Sequence, residues 1–403
     1  MVAIRSVTYN LPANYTEDDL KQVEKCSRIW DGAYPELHTQ RINLTPLVSP
    51  FRVGDFNSLI EICERSNIRW FNVPVDLYEA ERPEKLLSSL RNLIAESGHV
   101  FGNIIGVKNN QIRSDFIEYY ANFIDEISKL DVSGKDNFRV GFSINVGYNT
   151  PFFPFTQSSG EGTFSIALEI AKDMNDECKN GKYNSLSELR QLIIDRIRPQ
   201  VEEIAAIAER VSQKGGIPFS GFDFSLAPSI DPAGSVITIL NSIGVYNFGK
   251  SGTMFATSFI TDILKFFAKE FKSVGFSGVM YSLLEDLELC RINNQRGISI
   301  EQLTMVSTMC GCGLDMVPVC GDISHNEVQT LCYEIAAISC KLHKPLGIRL
   351  LPIQRCKRGI TGYTAIKSDA DFIANTKVLQ LDTNILVLDS KPFDYLALPQ
   401  TIC

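Results

Sequence analysis

The chain has 403 residues, of which 44% are apolar and 21% charged, so it can build a large core and is not a disordered polymer. Its formal net charge of -8, with no long Lys/Arg block, excludes nucleic acid as the main partner, because phosphate binding needs a basic face. No run approaches the ~18 consecutive apolar residues of a membrane-spanning helix, and the N-terminus lacks a signal-peptide h-region, so a cytoplasmic protein with no membrane partner is expected.

Taken in chain order, the first third alternates strand and helix signals. Ala3–Tyr9 alternates like a strand, Glu17–Trp30 has helical spacing with Thr16 as its N-cap, and Leu37–Leu44 is a second strand. A helix from Asp55 to Arg65, a strand at Arg69–Val75, a helix at Glu84–Ala95 behind Pro83 and an apolar strand at Phe101–Val107 follow. Phe116–Leu130 returns to helical spacing and Phe138–Val146 alternates again. This β-α-β-α rhythm predicts strands covered by helices, in one continuous α/β core over 1–403 with no linker. Ser185-Leu-Ser-Glu188 is a capping box that opens a long helix, which Pro199 should kink. Beyond Gly216, strands are expected at Phe222–Leu226, Gly278–Ser282, Met316–Val319 and Gly347–Leu351, with helices at Thr253–Lys269, Glu285–Ile292 and Asn326–Lys341.

Glycines and acids cluster from Gly221 to Asp322, and this region holds most of the candidate chemistry. In Gly221-Phe-Asp-Phe-Ser-Leu-Ala-Pro228, strand alternation puts Asp223 and Ser225 on one face, and an inward carboxylate needs a partner, hydrogen bonds or a metal. Gly249-Lys-Ser-Gly252-Thr253 opens a helix and could take an anion on its main-chain N–H groups. Together with Gly244 it satisfies the literal Gly-x4-Gly-Lys-Ser phosphate-loop pattern, but Gly252 and the aromatic Val245–Phe248 argue for an ordinary tight turn. Glu285 and Asp286 follow a strand: either they stabilise the next helix start, or one of them ligates a metal or transfers a proton. Ser307–Asp322 brings Cys310, Cys312, Asp315 and Asp322 together between glycine turns, with Cys310 as a candidate thiolate nucleophile. The spacing of Cys310, Cys312 and Cys320 does not make a zinc ribbon. Arg349, in the apolar strand Gly347–Leu351, needs a carboxylate partner such as Asp322 or Asp223, as a structural pair or as half of a substrate-carboxylate clamp.

These motifs, with Phe248-Gly, Gly278-Val-Met280, Val317-Pro318, Pro345-Leu, Arg349-Leu-Leu-Pro352, Pro151-Phe-Phe-Pro154 and Arg41-x3-Thr45, resemble the uncharacterised family DUF711, also called UPF0210. The resemblance implies a ten-stranded α/β barrel of two half-barrels, similar to the pyruvate formate-lyase-like fold of the glycyl radical enzymes. It implies no settled activity. The sequence departs from the family pattern at Cys312, at Cys320 and over Arg355–Tyr363. Arg358-Gly-Ile-Thr-Gly362-Tyr363 has one residue too many for the Arg-x-x-Gly-Tyr radical signature, which argues against radical chemistry.

The leading expectation is an enzyme acting on a small polar metabolite. Asp223, Glu285, Cys310 and Asp315 would be catalytic, and Ser225, Gly252, Thr253 and Arg349 would bind substrate. Asp223, Glu285, Asp286 and Asp322 would hold a divalent oxygen-preferring cation, Mg²⁺, Mn²⁺ or Ca²⁺. The alternative is a non-catalytic small-molecule-binding or regulatory protein on the same scaffold. A homo-oligomer is compatible with either.

Overall fold

The computed structural model describes residues 2–366 and 373–386. The first half is a run of parallel strands returned by helices. It comprises β1 (Ala3–Asn10), α1 (Glu17–Ala33), β2 (Leu37–Asn43), α2 (Asn57–Arg65), β3 (Ile68–Asp76), α3 (Pro83–Glu96), β4 (Val100–Lys108), the short β5 (Gln111–Ile112), α4 (Ser114–Ser128) and β6 (Val140–Ile144). Thr16 caps α1 in a full capping box with Asp19, as its sequence suggests. The second half comprises β7 (Thr163–Glu169), α5 (Ala171–Asn180), α6 (Leu186–Gly215), β8 (Phe219–Asp223), α7 (Val236–Ser242), α8 (Thr253–Glu270), α9 (Leu287–Arg296), α10 (Ile300–Ser307), β9 (Gly313–Cys320), α11 (His325–Leu342) and β10 (Leu346–Ile353). Helix α6 runs through Pro199 without a break and ends on Gly216 in the left-handed region.

The strands form a ten-stranded sheet in the order β8-β7-β1-β2-β3-β4-β6-β10-β9, with β5 paired to β4. Strands β1, β2, β3, β4 and β6 are mutually parallel. β7 joins β1 antiparallel, β10 joins β6 antiparallel, and β7–β8 and β9–β10 are parallel pairs. Between the two ends of this order lies the segment 273–282. The expected strand Gly278–Ser282 is not a regular strand there. Isolated parallel bridges link Phe222 to Ser273 and Leu226 to Val279, and a third links Ser282 to Asp315 in β9. The backbone leaves no room for a side chain at Gly278: a Cβ there would lie 2.9 Å from the Gly311 Cα. Close approach of two main chains is what a glycine at each position permits, and it also interrupts the regular ladder.

The residues 147–160 enter the interior of the sheet as a finger. Three buried asparagines, one each from β2, β3 and β4, hold it, and Asn10 of β1 supports the first of them. Asn43 donates to Asn10 (2.9 Å) and to the Thr156 hydroxyl (3.0 Å), while Asn72 and Asn103 each donate to the Thr156 carbonyl at 2.9 Å. Side chains at matching heights on neighbouring parallel strands can satisfy buried polar groups in this way, where water cannot reach. The finger thereby carries Phe152, Phe153 and Phe155 into the interior, all of them buried.

Candidate functional site

The aromatic tip of the finger borders a cavity of about 530 Å³. Its wall takes residues from the starts of β1 to β4, the end of β7, the loop after β8, the 278–286 segment, β9 and β10. Candidate acids were expected at the C-terminal ends of strands. In the first half of the chain the cavity lies instead at the starts of the strands. The antiparallel joins at β7 and β10 bring the other half's residues to the same place.

Two ion-pair groups organise the wall. Arg349 on β10 grips Asp315 on β9 with two hydrogen bonds, Nε to Oδ1 at 2.6 Å and Nη2 to Oδ2 at 2.9 Å. Its third nitrogen donates to the Phe138 carbonyl at 3.2 Å. The parallel β9–β10 register puts the two side chains abreast, and burial makes the pairing obligatory. Glu285 bridges this pair to the other group, 3.6 Å from Arg349 and 3.4 Å from Arg5. Arg5 also lies 4.0 Å from Glu169, whose carboxylate is 3.0 Å from His38 Nδ1. Burial works against the Glu169 carboxylate, but His38 and Arg5 outweigh it and hold its pKa below the ordinary range. Glu169 in turn raises the His38 pKa, against burial.

These shifts fix a pH prediction. The raised His38 contributes stability at pH values below about 6.5 and loses it as pH rises through the folded value, while the lowered Glu169 contributes above about 4.5 and loses it on acidification. The melting temperature of the wild type minus that of His38→Gln is therefore expected to be largest between about pH 4.5 and 6.5, where both groups are charged, and to shrink as pH rises through the raised His38 value.

Arg41, on β2, differs from its neighbours. Its guanidinium sits 5.3 Å from the Trp70 ring and 5.3 Å from the Phe153 ring, and its Nε donates to the Thr39 hydroxyl at 3.1 Å. Among the described residues no carboxylate lies within 4.0 Å of it. Burial and the charges of Arg5, Arg69 and Arg349 push its pKa down to about 9, with Glu285 opposing. It stays protonated at neutral pH, in a place where positive charge is in excess.

The structure separates most of the residues singled out from the sequence. Glu285, Asp315 and Arg349 converge on the cavity, and Cys312 joins its wall. Asp223 does not. It is fully buried, and its oxygens accept from the main-chain N–H of Ser225 (2.9 Å), Phe276 (2.8 Å) and Ser277 (2.9 Å), and from the Ser225 hydroxyl (2.6 Å). Burial raises its pKa and these donors oppose the rise, so its role is to clasp β8 to the 273–278 segment. Ser225 is consumed in the same clasp, its hydroxyl also 3.3 Å from the Gly278 N–H. Asp286 is the N-cap of α9, bound to Ser235 and to the N–H groups of Val236, Glu288 and Leu289; burial pushes its pKa up to about 6. Asp322 accepts the Arg358 main-chain N–H, away from the cavity. The four carboxylates read as metal ligands thus lie in different local networks, and among the described residues no group of three or more His, Cys, Asp or Glu is arranged to hold a metal. Gly252 and Thr253 form a closed turn at the start of α8, where the Thr253 hydroxyl accepts the Gly249 N–H at 3.1 Å. Cys310 lies fully buried behind Cys312. Arg358, Gly362 and Tyr363 are not among the lining residues.

Comparison with known proteins assigns the family. A family model described as uncharacterised ACR (DUF711) matches residues 13–361. The chain belongs to the DUF711 family. It is 25% identical over 382 residues to a UPF0210 protein of Sulfurisphaera tokodaii, covering 87% of this chain and 85% of that one. It is 31% identical over 227 residues to a UPF0210 protein of Pyrobaculum aerophilum, covering 55% and 50%. A UPF0210 protein of Lactiplantibacillus plantarum is 31% identical over 179 residues, covering 42% and 40%. The match to the Pyrobaculum protein spans about half of that protein's own length. In this DUF711 chain, Arg41 and the Pro151–Pro154 finger belong to the cavity wall or its border, and both lie inside the matched region. Among the described residues no helix is long and apolar enough to cross a membrane.

Proposed function

We propose that this protein binds a small anionic metabolite, carrying a carboxylate or a comparable oxyanion, inside a closed ten-stave α/β barrel. The pairing pattern supports the barrel. Five parallel staves, β1 to β4 and β6, would face five more, β7, β8, the 273–282 segment, β9 and β10, across two antiparallel seams. The observation that carries the ligand class is Arg41. Its neighbours Arg5 and Arg349 are matched by Glu169, Glu285 and Asp315, whereas Arg41 faces the cavity with aromatic and hydroxyl contacts only. An incoming anion would relieve the repulsion among the guanidiniums and gain a charge-assisted pair in a sheltered site. Trp70, Phe138 and Phe153 pack around Phe101 along one wall, the first two edge-on and the third tilted, at centroid distances of 5.2–5.6 Å, and would take a flat or aliphatic portion of the ligand.

The test is thermal shift and calorimetry against small mono- and dicarboxylates and phosphorylated metabolites. At least one anion should raise the melting temperature, and Arg41→Gln should weaken its binding about 10- to 100-fold, as expected for loss of a charged hydrogen bond. Binding unchanged in Arg41→Gln, or no anion that binds, sinks the reading.

Catalysis is the second reading. A histidine held by a carboxylate, as His38 is by Glu169, is a general-base arrangement, and both residues line the same cavity. Chemical conversion of the bound anion, abolished in His38→Gln with binding retained, separates an enzyme from a binding protein.

A further inference from the structure

The Cys310-Gly-Cys312 turn lies between α10 and β9, and its main chain is held on both sides. The Gly311 N–H donates to the Val279 carbonyl at 2.5 Å, and a Cβ on Gly311 would meet the Gly278 backbone at 3.1 Å. Gly313 follows at φ +83°, where a Cβ would meet the Gly347 carbonyl oxygen at 2.3 Å. The two cysteines therefore keep a fixed spacing. Two trans peptide steps separate their Cα atoms by about 5.5–7 Å, which overlaps the range a disulfide accepts. Both sulfurs turn to one acceptor: Cys310 Sγ lies 4.0 Å and Cys312 Sγ 3.9 Å from the Gly313 carbonyl oxygen. Cys312 lines the cavity, and Cys310 sits behind it with no exposure.

The surroundings favour one negative charge on this pair. Lys344 is half-buried and donates to the Ser307 carbonyl at 3.0 Å, and among the described residues it has no carboxylate within 4.0 Å. Burial lowers its pKa, while the two thiols are the groups that raise it. Hydrogen bonding to Cys312, aided by Lys344, draws the pKa of Cys310 down against burial, and Cys312 holds its proton more firmly in return. At Cys63 and Cys290 burial dominates instead: with Glu64 and Asp286 adding to it, it pushes each thiol up to about 12.

We infer that Cys312 and Cys310 form a two-thiol exchange site, entered from the cavity through Cys312, that reacts with small organic disulfides. The pair carries one proton between two sulfurs. As the proton shifts to Cys310, the Cys312 thiolate attacks a sulfur of the incoming disulfide, forming a Cys312–S bond and expelling one small thiolate. Cys310 then attacks the Cys312 sulfur. The Cys310–Cys312 disulfide forms, the second small thiolate leaves, and the Cys310 proton passes to it. The protein dithiol is oxidised by two electrons and the small disulfide is reduced to two thiols.

The full-length reduced protein is incubated with glutathione disulfide or with cystamine, quenched by alkylation and mapped by peptide mass spectrometry. The expected result is a 310–312 disulfide that forms about tenfold faster than modification of any other buried cysteine. In Cys310→Ser, the mixed disulfide should stay on Cys312. Should that variant not fold, the wild-type map decides alone. Cystamine is cationic, so its reaction is independent of anion binding at Arg41, and the two readings fail separately. Modification of Cys310 and Cys312 by both disulfides at the rate of Cys63 and Cys290 or slower overturns the inference, as does a folded Cys310→Ser that gains no adduct on Cys312.

Discussion

Arg349→Ala is expected to lower the unfolding free energy by about 3–5 kcal/mol, measured by urea denaturation. The arginine and Asp315 are each nearly inaccessible, at 4% and 5% relative exposure, and they share two short hydrogen bonds. Removing the cation leaves Asp315 buried without its partner and takes one of two counter-charges from Glu285. The penalty comes mostly from the carboxylate left behind, so the double change Asp315→Leu with Arg349→Leu should cost less than Arg349→Ala alone. A loss below about 1 kcal/mol for the single change would mean that water reaches Asp315 freely, and that the pair is part of the solvated site rather than of its frame.

Asp223→Ala should be of similar size, about 3–5 kcal/mol, since charged hydrogen bonds contribute about 1.5–3 kcal/mol each and are not additive. It removes the acceptor of three main-chain N–H groups and of the Ser225 and Thr150 hydroxyls in a place that has no exposure. Asp223→Asn keeps the shape but brings an NH₂ where every neighbour donates, so it should recover only part of the loss. Because Asp223 is outside the cavity, its variants, where folded, should bind the anion proposed for Arg41 with unchanged affinity. A selective loss of binding would return Asp223 to the site.

The contrast between these two residues shows how far the sequence can be read. The expected strand Phe222–Leu226 is shifted, since β8 ends at Asp223, but the question of a partner for this buried carboxylate was visible. The partners are main-chain N–H groups of Phe276 and Ser277, which have no side-chain signature. Arg349 was expected to need a carboxylate, and it has one, but Asp315 rather than Asp322 or Asp223: the choice depends on the β9–β10 register, which glycines at 313 and 347 allow to close. The residues with the least signal were Arg5, His38 and Glu169. Each is a single charged residue in or beside a strand, and they meet only because β7 returns antiparallel beside β1. Arg41 was visible in its strand, yet nothing local marks it as a buried cation with no carboxylate within 4.0 Å among the described residues. The helices were the legible part, since capping and 3.6-residue spacing act within a few neighbours. Acids beside glycines, by contrast, marked tight turns and helix caps as often as the cavity, as Asp286 and Asp322 show.

The asparagine clamp on Thr156 has a consequence for assembly. Its contacts span 113, 84 and 53 residues of chain, so each closes a long loop before it returns any stability. A protein whose interior is tied by such distant partners has high contact order and folds slowly. The finger can seat only after β2, β3 and β4 lie side by side, because its anchors come one from each. Phe152, Phe153 and Phe155 are therefore expected to seat only once these three strands are paired, so an intermediate that lacks this pairing also lacks the aromatic border of the cavity.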